Sequence, residues 1–285
     1  MLASRFLHIP APPGTRSGPT DAPDTRTPAS SASGNLLRAA VAAVALGALA
    51  WPAAWAQDGN GGPSQWGLGL ALGTERAPYR DFHNKVRGLP LIHFENRWVS
   101  VLGPSLDIKL PSAGPVALAL RAHYSGEGYK AEDSPYLAGM DERKASFWAG
   151  LAATWRTDVV NVSGEWLEDA SGKSKGRKIR LQADRRFQHG AFDFTPRLAA
   201  HWADSKYVDY YYGVKSSEAR PQRRAYRGDA SVNMELGLSV GYALAPRQSI
   251  HVDISTTHFG SGIKKSPLVD RASTNGVRLG YLHLF

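Results

Sequence analysis

The sequence contains no cysteine. That excludes a disulfide framework, a thiolate zinc site and a thiol nucleophile. It fits an oxidising compartment, where a free thiol is a liability. Outside the N-terminal region there is no run of about 18 apolar residues, so the body carries no transmembrane helix. The histidines are scattered without the spacing of a zinc site. The stretch "GLGLALG" at 67–73 is rich in glycine, but no helix follows it, so it is not a phosphate loop. The net charge of +9 comes without a recognition module for nucleic acid, which removes nucleic acid from the expected partners. No cofactor motif is present either.

The N-terminal region reads as an address. Residues 1–35 are rich in Pro, Ser, Thr and Ala and read as a disordered leader, which predicts a translation start further downstream. Residues 36–56 read as a secretory signal peptide. Arg38 precedes the apolar run "AAVAAVALGALA", and Ala54-Trp55-Ala56 fits a small-x-small cleavage site. Cleavage is expected between Ala56 and Gln57. Residues 57–64 then form a short periplasmic segment, and 65–285 form the body.

The body alternates with period two. In "WGLGLALG" Trp66, Leu68, Leu70 and Leu72 share a face; in "SVNMELGLSVGYAL" Val232, Met234, Leu236, Leu238 and Val240 oppose Asn233, Glu235 and Ser239. "KIRLQADRRF", "AFDFTPRLAAHW" and "SIHVDIST" repeat the pattern. These are half-buried strands. A soluble sandwich alternates too, but these strands reach about ten residues, against a usual five or six. Their polar face mixes charges of both signs with Gly, Ala and Ser, and their apolar face ends in aromatics such as Trp66, Tyr124, Trp155, Trp166, Phe187, Trp202 and Tyr242. All three features fit an all-β, transmembrane antiparallel β-barrel, apolar outside with aromatic girdles and polar within. Closure also removes the unpaired edges that lipid penalises.

The last residues, "NGVRLGYLHLF", continue the alternation to the final Phe. Leu279, Tyr281 and Phe285 on the apolar face are the expected signal for the barrel-assembly machinery of a Gram-negative outer membrane. From the C-terminus the gaps alternate long and short: 259–275, 245–248, 203–229, 188–190, 169–176, 156–158, 125–145 and 111–114. That pattern gives eight strands. Residues 66–110 add four (66–73, 89–95, 97–102 and 104–110) for twelve; two would give ten.

Polar-face parity places Arg121, His123, Arg156, Glu165, Arg197, His201, Glu235, His251 and Asp253 in the lumen. His251 and Asp253 resemble a general-base pair. The same spacing suits an internal hydrogen bond, and that is the expectation, because no partnered nucleophile is evident. Two basic runs, Lys173, Lys175, Arg177 and Lys178, then Arg220, Arg223, Arg224 and Arg227, fall at outer loops. They suit the phosphates of lipopolysaccharide, or solvated loops. Tyr207, Tyr210, Tyr211 and Tyr212 are expected in a girdle or in loop packing.

"YVDYYYGVKSSEA" and "AYRG" resemble a motif of the MipA/OmpV outer-membrane family, through Tyr207, Tyr211, Gly213, Val214, Glu218, Ala219 and Tyr226. Tyr212 stands where the family has Phe. Ser266 and Pro267 of "SPLV" match a second motif, and "YLHLF" is similar to the family's ending with a longer spacing. The resemblance covers most of 65–285. It implies an outer-membrane barrel, in contact with lipid and lipopolysaccharide, that is not an enzyme; no catalytic residues come with it. The family's namesake is a scaffold joining a lytic transglycosylase to a peptidoglycan synthase, and that role is the implied function. A pore for small hydrophilic solutes and an outer-membrane hydrolase are the alternatives.

Overall fold

A computed structural model describes residues 64–82 and 86–285. The expected leader, signal peptide and cleavage site, with nearly all of the 57–64 segment, lie outside the described residues.

The strands are β1 (Gln65–Glu75), β2 (Val86–Glu95), β3 (Val99–Leu102), β4 (Ser105–Ala113), β5 (Val116–Ser125), β6 (Ser146–Arg156) and β7 (Asn161–Asp169). They continue as β8 (Arg177–Asp184), β9 (Phe187–His189), β10 (Phe192–Ala203), β11 (Ser231–Ala245), β12 (Gln248–His258) and β13 (Ser273–Leu284). Each pairs antiparallel with its neighbour, and β13 returns to pair with β1, with Gly67 opposite Leu284. β8 and β9 lie along the same edge of β10, so the segments fill twelve wall positions. The chain is therefore a closed twelve-stranded barrel. Closure leaves no orphaned edge around the ring where the strands meet. The backbone N–H of Phe285 donates to the carbonyl of Trp66 at 2.8 Å, so the terminal residue is tied to the first strand.

Alternation sorts the side chains as the sequence predicts. Leu68, Leu151, Leu181, Leu198, Leu236, Ile254 and Leu279 are exposed outside the barrel, on the face that lipid covers. Each such side chain taken from water into hydrocarbon stabilises the inserted state by about 1.5–3 kcal/mol. Trp66, Trp155, Phe187, Phe192, Tyr242 and Phe285 ring one end, with Trp66 on Phe94 at 4.4 Å and Phe192 on Tyr242 at 4.7 Å. Tyr124 and Phe147 meet at 4.8 Å towards the other end. Tight turns join strands at the first rim and long loops at the second, the asymmetry of a periplasmic and an outer face.

Two elements depart from the expectation. β3 is shorter than the predicted 97–102. It rises only as far as Leu102, pairs with His93–Glu95 of β2, and stops. Gly103, at φ 54, supplies the left-handed turn, and Pro104 lacks the N–H that a continuing ladder needs. The second departure is a helix in the 203–229 gap, α1 (Ser205–Tyr212). Asp204 caps it by accepting from the N–H of Tyr207 at 2.9 Å. Tyr207, Val208, Tyr211 and Tyr212 share its buried face, a helical spacing inside a strand-rich chain.

Candidate functional site

Two ion-pair clusters line the lumen wall. In the first, Arg121 of β5 binds Asp107 of β4 through two nitrogens at 2.8 and 2.7 Å, and Glu165 of β7 at 2.6 Å. In the second, Arg197 of β10 reaches Glu235 of β11 at 2.8 Å and Asp253 of β12 at 2.5 and 3.1 Å. Arg278 of β13 adds a bond to Asp253 at 3.1 Å, and His201 one to Glu235 at 2.9 Å. Arg180 of β8 lies 3.6 Å from Glu235. Opposite charges on successive strands lie side by side in the lumen, so each guanidinium finds carboxylates without leaving its wall. Gly237 makes this possible: a Cβ there would collide with the Arg197 guanidinium. Gly237→Val is expected to displace Arg197 and cost about 1–3 kcal/mol, measurable as a lower urea midpoint for the barrel in detergent.

Above the clusters the outer loops close over the mouth. Tyr79, Tyr129, Tyr207, Tyr211 and Tyr212 pack with Leu137, Ile263 and Leu268 into a buried apolar cluster. The ring of Tyr79 stacks on Tyr212 at 5.6 Å and meets Tyr129 edge-on at 4.8 Å. Burial pushes the phenols of Tyr79 and Tyr207 well above their ordinary value, so both stay neutral hydroxyls. Between this lid and the ion pairs lies a cavity of about 260 Å³. Its lining combines the tyrosines with Arg87, Lys178, Arg180, Glu127, Glu165, Glu235 and His123.

The lid is fastened by polar contacts. Glu218 is buried and accepts from Arg143 at 2.9 and 3.0 Å and from the N–H groups of Asp141 and Lys215 at 3.0 Å each. Burial alone would raise its pKa; the two backbone donors and the Arg143 guanidinium outweigh burial and hold the carboxyl below its ordinary value. Tyr226 donates to the carbonyl of Gly262 at 2.6 Å, and its backbone bonds with Val214 in both directions. Ser266 donates to the carbonyl of Tyr212 at 2.6 Å.

The family described as "MltA-interacting protein MipA" matches residues 67–285. The chain belongs to that family. The MltA-interacting protein of Escherichia coli (strain K12) is 27% identical over 247 residues, covering 85% of this chain and 98% of that protein. The outer membrane protein Omp26La of Vibrio anguillarum is 32% identical over 149 residues, covering 52% and 58%. Among solved structures, a NanC porin matches at 11% identity with a TM-score of 0.39, over 76% of this chain and 98% of that one. Omp26La, OmpV of Vibrio cholerae and YiaT of Escherichia coli, also among the relatives, carry the names of outer membrane proteins. This MipA-family chain is a barrel of the Gram-negative outer membrane.

Within this MipA-family barrel the motif residues are parts of the lid. Tyr207, Tyr211, Tyr212, Gly213 and Val214 form α1 and its exit, Glu218 and Ala219 the next turn, Tyr226 the strap over it, and Ser266 and Pro267 the facing loop. Of the residues assigned to the lumen by parity, Arg121, His123, Glu165, Arg197, His201, Glu235, His251 and Asp253 face it. Arg156 lies on the same parity but is exposed at the short-turn rim.

Three expectations are corrected. His251 does not bond Asp253: its Nε2 meets Ser249 Oγ at 3.1 Å, while Asp253 serves Arg197 and Arg278. Asp253 is taken by guanidinium groups on neighbouring strands, which register brings alongside it. Lys178 does not face outer phosphates. It turns into the barrel, 4.0 Å from the Trp148 ring centre and 3.4 Å from Glu127. Arg223 is buried, donating to the carbonyls of Glu218, Tyr136 and Ala138, so it braces the lid from within. Sequence reasoning missed Arg143 and Glu127, both in long loops without periodicity. The Asp204 cap with the i, i+4 tyrosines was the available sign of α1.

Proposed function

We propose that this barrel is a scaffold tying the outer membrane to peptidoglycan-remodelling enzymes, and that it docks them on its short-turn rim. The observation that carries the reading is a packed lid over a lumen whose charged side chains are paired with one another. An unobstructed solute path would leave those charges to water. The rim offers a docking surface instead. Arg97, Arg156, Arg185 and Arg247 are exposed there with Trp98 and Val159, 55% and 66% exposed. Trp and Arg are the side chains that most often anchor interfaces. The name of the Escherichia coli relative, MltA-interacting protein, supports a lytic transglycosylase as the partner. No catalytic step is assigned to the chain itself.

The test is cross-linking in membranes followed by co-purification. Reversing Arg97, Arg185 and Arg247 to Glu is expected to weaken capture of a lytic transglycosylase by about ten-fold or more, through lost electrostatic complementarity. Equal capture by this triple variant and the wild type would end the rim assignment. At the outer face, exposed Lys173, Lys175, Arg177, Arg220 and Arg224 remain available to lipopolysaccharide phosphates. The cavity of about 260 Å³ favours a second reading, a gated pore for small solutes. Planar-bilayer recordings separate the two: steady conductance supports the pore, silence the scaffold.

A further inference from the structure

The early end of β3 leaves the wall incomplete. Below Gly103 the ladder β2–β3–β4–β5 is continuous; above it, among the described residues, no strand pairs with the Val86–Leu91 edge of β2. On the other flank β5 continues past the tip of the turn, where Tyr124 donates to the carbonyl of Pro104 at 3.0 Å. β2 and β5 are separated by the places of two strands, so the notch is about 14 Å wide at its base. The free edge is roughly 20 Å long along the strand. At barrel tilt this spans roughly half of the apolar band. It lies in the outer half, because β2 begins at the long-loop end and finishes opposite Gln65 at the short-turn rim.

Lipid makes an open edge expensive, and this edge is built to reduce that expense. The carbonyl of Ile92 accepts from Gly103 at 3.0 Å, so by alternation Val86, Gly88 and Pro90 turn their backbone groups to the same side. Pro90 has no N–H to orphan there. The side chains outside the barrel along this edge, Val86, Pro90 and Ile92, are apolar and exposed.

The notch adjoins the cavity under the lid. Arg87 of β2 on one flank, and His123, Glu127 and Gly128 at the end of β5 on the other, line that cavity. Upward the tyrosines cover it, and ion-paired side chains line the wall beneath it; sideways it adjoins the notch. The charges inside are mutually matched: Arg180 with Glu235, Lys178 with Glu127, Glu165 with Arg121. Arg87 is different, since no acidic side chain that the structure describes pairs with it. We propose that the notch is a lateral portal from the outer leaflet, and that the cavity receives the anionic head of a single-chain amphiphile, with Arg87 as its counter-ion and the acyl tail lying through the gap. The portal and the basic rim are at different ends of the barrel, so this reading and the scaffold stand or fall separately.

The absence of native cysteine makes the test direct. Leu89→Cys places a fluorophore on the inner side of β2 beside the notch; Ser239→Cys places it at a buried inward site where the wall is complete. In vesicles of phospholipid brominated on the acyl chains, the Leu89 label is expected to be quenched and the Ser239 label spared. Equal quenching at both sites overturns the portal. Binding is read by native mass spectrometry of the full barrel with oleate, with lysophosphatidylglycerol and with uncharged dodecyl maltoside. Oleate or the lysophospholipid is expected to bind, which tells a carboxylate head from a phosphate one, and Arg87→Gln is expected to weaken that binding about ten-fold. Dodecyl maltoside binding as well as the anionic probes, or no effect of Arg87→Gln, overturns the anionic assignment. Heat-modifiable migration of every variant checks that the barrel has formed.

Discussion

Arg197→Met is expected to lose about 3 kcal/mol of barrel stability, read as a lower urea midpoint in detergent or lipid vesicles. The guanidinium is 4% exposed and bonds two carboxylates on two strands, Glu235 and Asp253. Removing it leaves two acids inside a low-dielectric wall with fewer counter-ions. Full loss of a partner from a buried pair costs about 3–5 kcal/mol. The lower figure applies because Arg180 still approaches Glu235 and Arg278 still binds Asp253. Methionine keeps much of the volume, so a cavity contributes little to the loss. A second consequence follows in the lumen: freed carboxylates draw in water and cations, and a barrel silent in planar bilayers is expected to become cation-leaky. An unchanged urea midpoint would mean that the network is decoration on a wall held by backbone pairing alone.

Glu218→Gln is expected to open the lid and leave the wall intact. The carboxylate holds Arg143 and two backbone N–H groups at once, and both partners of the ion pair are buried, at 4% and 3% exposure. The neutral amide keeps one accepting oxygen and turns an NH2 donor towards the other N–H groups, so Arg143 stays buried beside a group that no longer balances it. The local cost is about 3 kcal/mol, which raises the open fraction of the lid by roughly two orders of magnitude. Trypsin reads that opening at Lys144, Lys215, Arg220 and Arg224. Cleavage is expected to accelerate sharply, while migration of the unheated, undigested barrel stays that of the folded form.

The same group sets a pH dependence. Its folded pKa lies below its unfolded one, so its contribution is fully present above the ordinary Glu value and is lost as pH falls through the depressed value. Wild-type lid cleavage by an acid-active protease is therefore expected to rise as pH drops below about 4. Glu218→Gln removes that rise. A profile identical in both proteins would assign the acid sensitivity elsewhere.

Much of the wall was readable beforehand, because strand alternation is a local property. The lipid-facing set, from Leu68 to Leu279, and the lumen set, including Arg121, Arg197, Glu235 and Asp253, both followed from parity. Counting short and long gaps gave eight strand positions; residues 66–110 allowed four more or two, and the structure shows four. The helix α1 hid inside a 27-residue gap read as loop, since four tyrosines also suit a girdle. Lys178 and Arg223 sit among exposed basic neighbours and read as surface charge; only the folded loops show one turned to Trp148 and the other to buried carbonyls.

Parity therefore settled which face each side chain occupies, whatever the rest of the chain does, because successive Cβ atoms point to opposite sides of a pleated strand. Partners were settled by closure. Whether Asp253 meets His251 or Arg197 depends on the stagger between strands 56 residues apart, and no local pattern encodes that. The height at which β3 stops, and the burial of Glu218 against Arg143, are likewise products of contacts between distant segments.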